Sequence, residues 1–333
     1  MNTQLFQKVY GCMLGGVIGD AMGAPAECWT YEQIKEQFGW INDFEGEGTD
    51  DSAIKLILCE AIIKNRGHIT ADEFADAFLA NKDKYSHLFF IPVLNMLHKV
   101  ESKLCLPVYA GVGNMPSSSS AMAISPMGII NASNPRRAAL ETYDVAGLIH
   151  AGDSTFCRDG ACAMAAAVAE AMNPASTVES VLDASTKYLH KDSSRELLER
   201  IRLSLALAEQ TKGYEAFREA YYEKYLGDIV CDSRETIPCV LVLFKFAEGD
   251  PVKAIEYAAN FGRDTDTIAS MVGALCGAFG GVSALKPEWV KKIEATTMSQ
   301  KDLSHQLIEI LIERTEEERR CLDIVTNLKE GVL

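Results

Sequence analysis

Residues 262–281 read GRDTDTIASMVGALCGAFGG, and the second half of this segment has glycine at every fourth position, at Gly273, Gly277 and Gly281. Residues four apart lie on one face of a helix, so the spacing predicts a helix with a face that carries no side chains. A neighbouring helix can approach such a face closely. That contact offsets the roughly 1 kcal/mol of helix propensity that each glycine costs.

Two other segments have the same pattern of small residues. Residues 161–171 read ACAMAAAVAEA. Near the start of the chain, the glycines with this spacing are Gly11, Gly15, Gly19 and Gly23. We therefore expect three central helices that pack tightly together. Two of them have acidic residues at one end, at Asp20 and at RDTDT (263–267), so the interior can contain a rigid polar site.

Helix signals dominate the rest of the chain, and strand signals are scarce. Ser or Thr followed three residues later by Glu predicts a capping box, the side-chain pair that starts a helix. This pattern occurs at 70–73, 176–179 and 193–196. Residues 250–262 place Asp at an N-cap, Pro at the first helical position and Gly after the end. Residues 302–319 have the periodicity of an amphipathic helix.

The only low-complexity patch is SSSS at 117–120, within a loop that contains Gly and Pro at 107–120. No other segment resembles a flexible linker. The sequence therefore predicts one all-α domain over residues 1–333.

Composition excludes some classes of function. The 333 residues include 47 acidic and 32 basic side chains, which gives a net charge of -15 without a basic stretch. Such a charge repels nucleic acid. The ten cysteines are scattered without a CxxC pair, and the start MNTQLFQKVYG is unlike a signal peptide. We therefore expect reduced thiols and a cytoplasmic protein.

One uncharged segment, residues 268–285, is long enough to raise the question of a membrane span. More than half of it is Gly, Ala and Ser, and it follows an acidic cluster without basic anchors. We therefore expect a buried core helix and no membrane partner.

Two distant stretches combine hydroxyls and carboxylates at the start of an apolar helix. They contribute Thr49, Asp50, Asp51, Asp264, Asp266 and Thr267. Helix capping or a solvated acidic turn explains either stretch alone, but a cap needs only one residue. Together the six residues form a hard-oxygen set that matches Mg²⁺, with no His or Cys cluster that would favour zinc. Two such cations could neutralise the carboxylates and orient a polyhydroxylated or phosphorylated substrate.

The chain resembles the ADP-ribosylglycohydrolase family. The resemblance is carried by GCMLGGVIGDAMGAPAE (11–27), GTDDS (48–52) and GRDTDTIASMVGALCGAFGG (262–281). It continues more faintly through SAMAISPMGII (120–130), IHAGDSTFC (149–157) and ETIPCVLVLF (235–244), and so covers most of the chain.

The resemblance implies a compact orthogonal helical bundle with a binuclear Mg²⁺ centre. It implies hydrolysis of the glycosidic bond between ADP-ribose and an acceptor, which is a protein side chain or a small molecule. The metal ligands that it implies are Thr49, Asp50, Asp51, Asp264, Asp266 and Thr267.

Catalytic roles also follow from the resemblance. The base would be Asp51 or Asp264, and Glu27 is an alternative acid or base. On residue type alone, the alternative for Glu27 is an exposed loop residue. Asp20 would support the metal shell or a helix end.

The chain departs from the family in a region that contributes to ADP-ribose binding. Members often have Asn, Gly and Arg where residues 117–125 read SSSSAMAIS. Ser117, Ser118 and Ser119 could bind phosphate through hydroxyls and loop N–H groups, and the alternative is a flexible, solvated serine run. His150 matches a family histidine near the substrate, and the alternative is a hydrogen-bonded core histidine.

Three functions are therefore considered. The first is a Mg²⁺-dependent hydrolase that removes ADP-ribose from a protein or a small compound. The second keeps the metals and acts on another nucleotide-sugar or ribosyl compound, which the altered serine loop would permit. The third is a non-catalytic nucleotide-binding or structural relative, which would have no need for four mutually repelling carboxylates.

Overall fold

The computed structural model of the chain describes residues 3–296 and 299–330, and over these ranges it contains helices and loops but no β-strand. The all-α prediction is therefore confirmed. The α-helices are α1 (Gln4–Gly23), α2 (Tyr31–Phe38), α3 (Asp50–Lys64), α4 (Ala71–Tyr85), α5 (Ile91–Glu101), α6 (Ser125–Ile129), α7 (Pro135–Ala146), α8 (Thr155–Ala171), α9 (Val178–Lys187), α10 (Arg195–Gln210), α11 (Tyr214–Tyr225), α12 (Ser233–Phe246), α13 (Pro251–Ala259), α14 (Thr265–Gly280), α15 (Pro287–Glu294) and α16 (Gln300–Glu330). Short 3-10 helices occur at Ala24–Ala26, Pro107–Tyr109, Gly152–Ser154 and Val282–Ala284.

The most extensive helix contact in the described chain joins α1 and α14, which run antiparallel with their glycine faces together. A Cβ atom added at Gly15 would lie 2.1 Å from the Gly273 carbonyl oxygen. One added at Gly277 would lie 2.0 Å from the Gly11 carbonyl oxygen. Since no side chain fits at such distances, the contact requires glycine on both helices. The predicted close approach of these glycine faces is confirmed.

The alanine-rich helix α8 completes the central group by packing against α14 and α7. Its residues 161–169 are all buried. At the end of the group far from the acidic residues, the Lys8 Nζ donates to the carbonyls of Ala171, Ala278 and Phe279 at 2.8, 3.1 and 2.8 Å. One buried ammonium thus joins the C-terminal ends of α8 and α14 to α1.

The predicted capping boxes have different outcomes. Thr70 and Glu73 form the expected box of α4. The prediction of a capping box at 176–179 is wrong about the residues that form it, because Thr177 caps α9 and its partner is Ser180. The box at 193–196 is also wrong. The residue before α10 is Ser194, which makes no side-chain cap, since its hydroxyl donates to the His190 carbonyl of the preceding turn.

Two further helix predictions are confirmed in position. Asp250 caps α13 by accepting hydrogen bonds from the N–H groups of Val252 and Lys253, and Pro251 is the first helical residue. The amphipathic pattern at 302–319 lies in α16, which is longer than predicted and is exposed along residues 315–329.

The uncharged segment that raised the membrane question belongs to the core. Its residues 268–278 lie in α14 and are buried by the surrounding helices. Within the described residues, none of the helices combines the length and the hydropathy that a membrane span requires. All ten cysteines have free thiols, as the sequence predicted.

Candidate metal centre

Three helix ends meet at one place in the fold. The antiparallel pairing puts the last turn of α1 beside the first turn of α14, where a Cβ added at Gly23 would lie 2.4 Å from the Thr265 carbonyl oxygen. Thr49 directly precedes α3, and Asp264 directly precedes α14. The Thr49 hydroxyl oxygen lies 3.3 Å from Asp266 Oδ2. The structure therefore brings the two acidic stretches together, although they are more than two hundred residues apart in sequence.

Asp20, on the last turn of α1, is held by four donors from the start of α3. The N–H and hydroxyl of Thr49 and the N–H and hydroxyl of Ser52 all donate to its carboxylate. Gly48 has a φ of 95°, and a Cβ there would lie 2.3 Å from Asp20 Oδ2. This left-handed glycine is therefore needed for the loop to approach the carboxylate. The Asp20 carboxylate therefore connects the N-terminal end of α3 to the last turn of α1.

Helix capping does not explain either acidic stretch. Thr49 and Asp264 occupy the N-cap positions of α3 and α14, and neither side chain makes a capping hydrogen bond. Asp51 Oδ1 and Asp264 Oδ2 are buried without a hydrogen-bond partner among the described residues. Because buried polar atoms are nearly always paired, these two carboxylate oxygens are candidate ligands for a cation.

The carboxylates form two overlapping groups, each able to surround one cation. Ligand atoms of Asp20, Asp51 and Asp266 lie within 4.8 Å of one another, and so do those of Glu27, Asp264 and Asp266. Asp266 belongs to both groups, so the two candidate cation positions are neighbours.

The predicted ligand residues occupy different places around these groups. Asp51, Asp264 and Asp266 are members, whereas Asp50 is in neither group. The Thr267 hydroxyl donates to Asp51 Oδ2 at 3.3 Å. Thr49 and Thr267 therefore join the start of α3 to the start of α14. The sequence analysis gave Asp20 a supporting role and Glu27 a catalytic role, and it placed neither residue among the metal ligands.

Burial raises the pKa of every carboxyl group in the two groups above its ordinary value. It is the largest cause for Asp20, Glu27, Asp51, Asp264 and Asp266. Burial, followed by the charge of Asp20, raises the pKa of Asp50 to about 7. The carboxylates therefore disfavour one another's charged forms, and a divalent cation among them would favour ionisation.

A cavity of ≈ 290 Å³ opens beside the centre. Its polar wall consists of Glu27, Thr49, Asp50, Asp264, Asp266, Thr267, Ser118 and Ser119. The apolar part of its wall includes Leu88, Phe89, Phe90, Met122 and Val230. Sequence reasoning missed the run Leu88–Phe90. It reads as ordinary core before α5, and nothing in its pattern shows that it faces a cavity. Asp20 and Asp51 are not in the wall and lie behind it.

The serine run at 117–120 is buried, so the alternative of a flexible, solvated segment is wrong. The Ser118 hydroxyl donates to the Cys231 carbonyl and also contacts the Thr236 hydroxyl. The Ser117 hydroxyl donates to Ser119 Oγ at 2.9 Å. Internal partners therefore fix these side chains.

His150 is fully buried behind the serine run. Its Nε2 is 3.1 Å from Ser117 Oγ, and its Nδ1 is 2.9 Å from Ser120 Oγ. Burial lowers the pKa of His150 to about 4, so the ring is neutral at pH 7. Ser118 and Ser119 line the cavity, whereas Ser117 and His150 are not among the lining residues.

Two residues beside the centre have left-handed backbone conformations, Cys28 with φ 65° and Arg263 with φ 68°. The Cys28 N–H donates to the Arg263 carbonyl, and the Arg263 N–H donates to the Trp29 carbonyl, each at 2.7 Å. Non-glycine residues rarely adopt this conformation unless their surroundings hold it. This exchange joins the loop after Glu27 to the loop before Asp264.

The Arg263 side chain secures the same connection from the other side. Its Nε and Nη2 donate to the two oxygens of Glu235 on α12 at 2.7 and 3.0 Å. Glu235 is buried. The sequence offers no signal for this pairing, because it depends on how α12 packs beside the loop.

Comparisons with known proteins identify the family and the fold. The sequence model of a family described as ADP-ribosylglycohydrolase matches residues 1–321. The chain is 28% identical over 316 residues to the uncharacterized protein YegU of Escherichia coli (strain K12), covering 87% of this chain and 92% of YegU. It is 23% identical over 341 residues to ADP-ribosylhydrolase ARH3 of Gallus gallus, covering 87% of this chain and 90% of ARH3.

A solved structure named ADP-ribosylglycohydrolase-related protein complex has the same fold. It superimposes with a TM-score of 0.69 at 18% sequence identity, and the match covers 92% of this chain and 98% of the solved chain.

Proposed function

The chain belongs to the ADP-ribosylglycohydrolase family and is a glycosidic-bond hydrolase of that family, and from this premise we propose that it uses Mg²⁺ to hydrolyse the bond between ADP-ribose and an acceptor. The acceptor is an ADP-ribosylated protein side chain or a small ADP-ribosyl compound. The observation that carries the proposal is the pair of carboxylate groups that share Asp266 at the end of a cavity.

The residues present fit two Mg²⁺ ions. All of the donors are hard oxygen atoms, which Mg²⁺ prefers. Asp51 Oδ1 and Asp264 Oδ2 have no partner among the described residues and are free to bind a cation. We assign one ion to Asp20, Asp51 and Asp266 and the other to Glu27, Asp264 and Asp266, and we propose Thr49, Asp50 and Thr267, which line the adjoining cavity, as further ligands.

When bound, the two ions supply Lewis-acid chemistry at the glycosidic bond. The chain's own residues divide the remaining work. Asp51 is buried behind the cavity wall, where it serves as a metal ligand. Asp264 and Glu27 line the cavity. Glu27, the more exposed of the two, takes the proton from the attacking water, and Asp264 is the second candidate for this base.

The surrounding negative charge stabilises the positive charge that develops on the ribose ring in the transition state. Ser118 and Ser119 form part of the wall that contacts the ADP-ribose, and Ser117 and His150 support these two serines from behind. The apolar side of the cavity, at Leu88–Phe90, offers a surface for an aromatic base.

The test is release of free ADP-ribose from arginine-linked, serine-linked and small-molecule ADP-ribosyl substrates, with Mg²⁺ and with EDTA. We expect metal-dependent release from at least one substrate. An Asp266→Ala variant should lose at least ~10²-fold in rate, because this side chain belongs to both cation positions. The matched control is Asp323→Ala, on the exposed part of α16, which should keep full activity.

One observation favours a second substrate class. The Ser118 and Ser117 hydroxyls are already committed to internal partners, so they offer few free donors to a diphosphate. If Mg²⁺ binds and no ADP-ribosyl compound is cleaved, the substrate is another nucleotide-sugar or ribosyl compound. Absence of Mg²⁺ binding would contradict the metal centre itself.

A further inference from the structure

A lysine is buried directly beneath the metal centre. Lys55 lies on α3, one helical turn after Asp51, and is only 2% exposed. Its Nζ donates to the Met13 carbonyl of α1 at 3.1 Å. A Cβ added at Gly16 would lie 2.9 Å from that Nζ, and Gly16 is one turn before Asp20 on α1. The ammonium therefore lies between α1 and α3, one turn below the carboxylates of Asp20 and Asp51.

Lys55 has no carboxylate partner of its own. It takes part in none of the ion pairs formed by the described residues. Two other acids face it, the thiols of Cys12 and Cys59. Burial raises the pKa of both thiols to about 12, so they are uncharged at neutral pH. The nearest anions that can balance Lys55 are therefore those of the metal centre.

Asp20 depends on this charge as well as on its hydrogen bonds. Burial raises the pKa of Asp20, and the donors of Ser52 and Thr49 and the charge of Lys55 lower it. A charged lysine is rarely buried unless it is compensated. Burial lowers the pKa of Lys55, and the charges of Asp20 and Asp51 raise it, so the carboxylate cluster above Lys55 favours its charged form.

We propose that Lys55 is the built-in counter-charge of the carboxylate centre, and that it weakens the binding of divalent cations there. The inference rests on the proposed metal centre and concerns how tightly that centre binds Mg²⁺. A fixed positive charge behind the ligands attracts the same carboxylates that a cation must bind, and it repels the cation. Lys55 is therefore a positioning residue, since it lies behind the cavity wall and does not touch substrate.

The test compares Mg²⁺ binding by calorimetry in the wild-type protein, Lys55→Met and Lys55→Arg. Met removes the charge and keeps most of the volume. We expect Lys55→Met to bind Mg²⁺ about tenfold more tightly or better, because charges within roughly one helical turn of a buried site interact strongly. Lys55→Arg keeps the charge and should retain the wild-type affinity.

The chain supplies a matched control in Lys8, a second buried lysine, which lies on α1 and bonds to α8 and α14 at the far end. Lys8→Met should lower the melting temperature and leave the Mg²⁺ affinity unchanged. If Lys55→Met does not fold, as judged by its circular dichroism and melting, Lys55→Gln replaces it with the same expectation.

The outcomes separate this inference from the proposed function. Unchanged or weaker Mg²⁺ binding in a folded Lys55→Met or Lys55→Gln protein would overturn the counter-charge role. If the wild-type protein itself binds no Mg²⁺, the metal centre fails and this inference fails with it. The Mg²⁺-induced rise in melting temperature gives a second readout, and it should be larger in Lys55→Met than in the wild type.

Discussion

The two ends of the α1–α14 pair differ in whether their buried polar groups have hydrogen-bond partners. At the far end, the ammonium of Lys8 donates to three backbone carbonyls and completes the ends of two helices. At the near end, the oxygens of Asp51 and Asp264 are buried without partners. Buried polar groups are normally satisfied by the protein itself. The chain itself therefore satisfies the buried polar groups of the far end, whereas the near end has carboxylate oxygens that could bind a cation.

The far end of the helix pair contributes stability to the fold, whereas the carboxylates of the near end reduce stability and serve the proposed function. The glycine contact between the helices holds both ends in register. The carboxylates repel one another at one end, and the helix contact keeps them in place. Substitutions at the contact, at the near end and at the far end should therefore have separable effects.

The largest effect is expected from Gly15→Val, which would abolish the contact that both ends share. The added side chain has no space, because even a Cβ would lie 2.1 Å from the Gly273 carbonyl oxygen. We expect a loss of more than ~3 kcal/mol in the free energy of unfolding. Urea denaturation measures it, and Gly213→Ala, in open space, is a control with a left-handed backbone but no overlap. A near-wild-type midpoint for Gly15→Val would refute the contact.

Asp266→Ala should affect only the near end. We expect ~10³-fold lower activity and no rise in melting temperature on adding Mg²⁺, because both cation positions lose a ligand. In EDTA the variant should melt at least as high as the wild type, since one repelling carboxylate is gone. Retained Mg²⁺-dependent turnover would contradict the shared-ligand geometry.

Glu27→Gln should separate catalysis from metal binding at the near end. The amide keeps an oxygen ligand but cannot accept a proton from water. We therefore expect kcat measured at saturating Mg²⁺ to fall about 10²-fold, in the range of general base contributions, while Mg²⁺ still binds, but more weakly because one ligand charge is lost. Calorimetry and steady-state kinetics measure the two quantities. Unchanged kinetics would return Glu27 to the role of a loop residue.

Lys8→Met should affect only the far end. Three carbonyls lose a charged donor, and we expect a loss of about 2 kcal/mol in the free energy of unfolding. Activity per folded molecule should stay at the wild-type value. A large loss of activity at a temperature where the variant is fully folded would show that the two ends are coupled.

Ser52→Ala should give the smallest effect. It removes one hydroxyl donor to Asp20 and leaves the Ser52 N–H in place. We expect Mg²⁺ affinity to fall about tenfold, as for other partners that orient a ligand. Thr186→Ala removes a half-buried hydroxyl on α9 that donates to the Asp183 carbonyl of its own helix; it is the control and should leave Mg²⁺ affinity unchanged. An unaffected Mg²⁺ affinity in Ser52→Ala would show that the backbone donors alone hold Asp20.

Much of the helical core could be predicted because its signals are periodic and local. Glycine at every fourth position predicts a close helix contact from steric grounds alone, and the stretches at 49–51 and 264–267 stand out by their chemistry. The box at 193–196 failed because the Ser194 hydroxyl bonds to the turn before it. Such competition between two local partners is not visible in residue types.

The rest of the candidate site could not be predicted because it depends on long-range packing. Asp20 reaches the centre through the antiparallel register of α1 and α14, and Lys55 is buried because α3 crosses α1 at Gly16. For the serine run the sequence left a phosphate-binding loop and a solvated segment as alternatives, and in the structure its hydroxyls find internal partners such as the Cys231 carbonyl. None of these relations is encoded within a short stretch of sequence.

The glycine contact also determines where the chain can change its length. Each residue inserted into a helix rotates everything beyond it by about 100°. An insertion between Gly11 and Asp20 would therefore turn either the glycine face or the carboxylate away from α14. Insertions and deletions should be tolerated in surface loops such as the one around Gly213. Within 11–23 and 265–280 they should prevent folding.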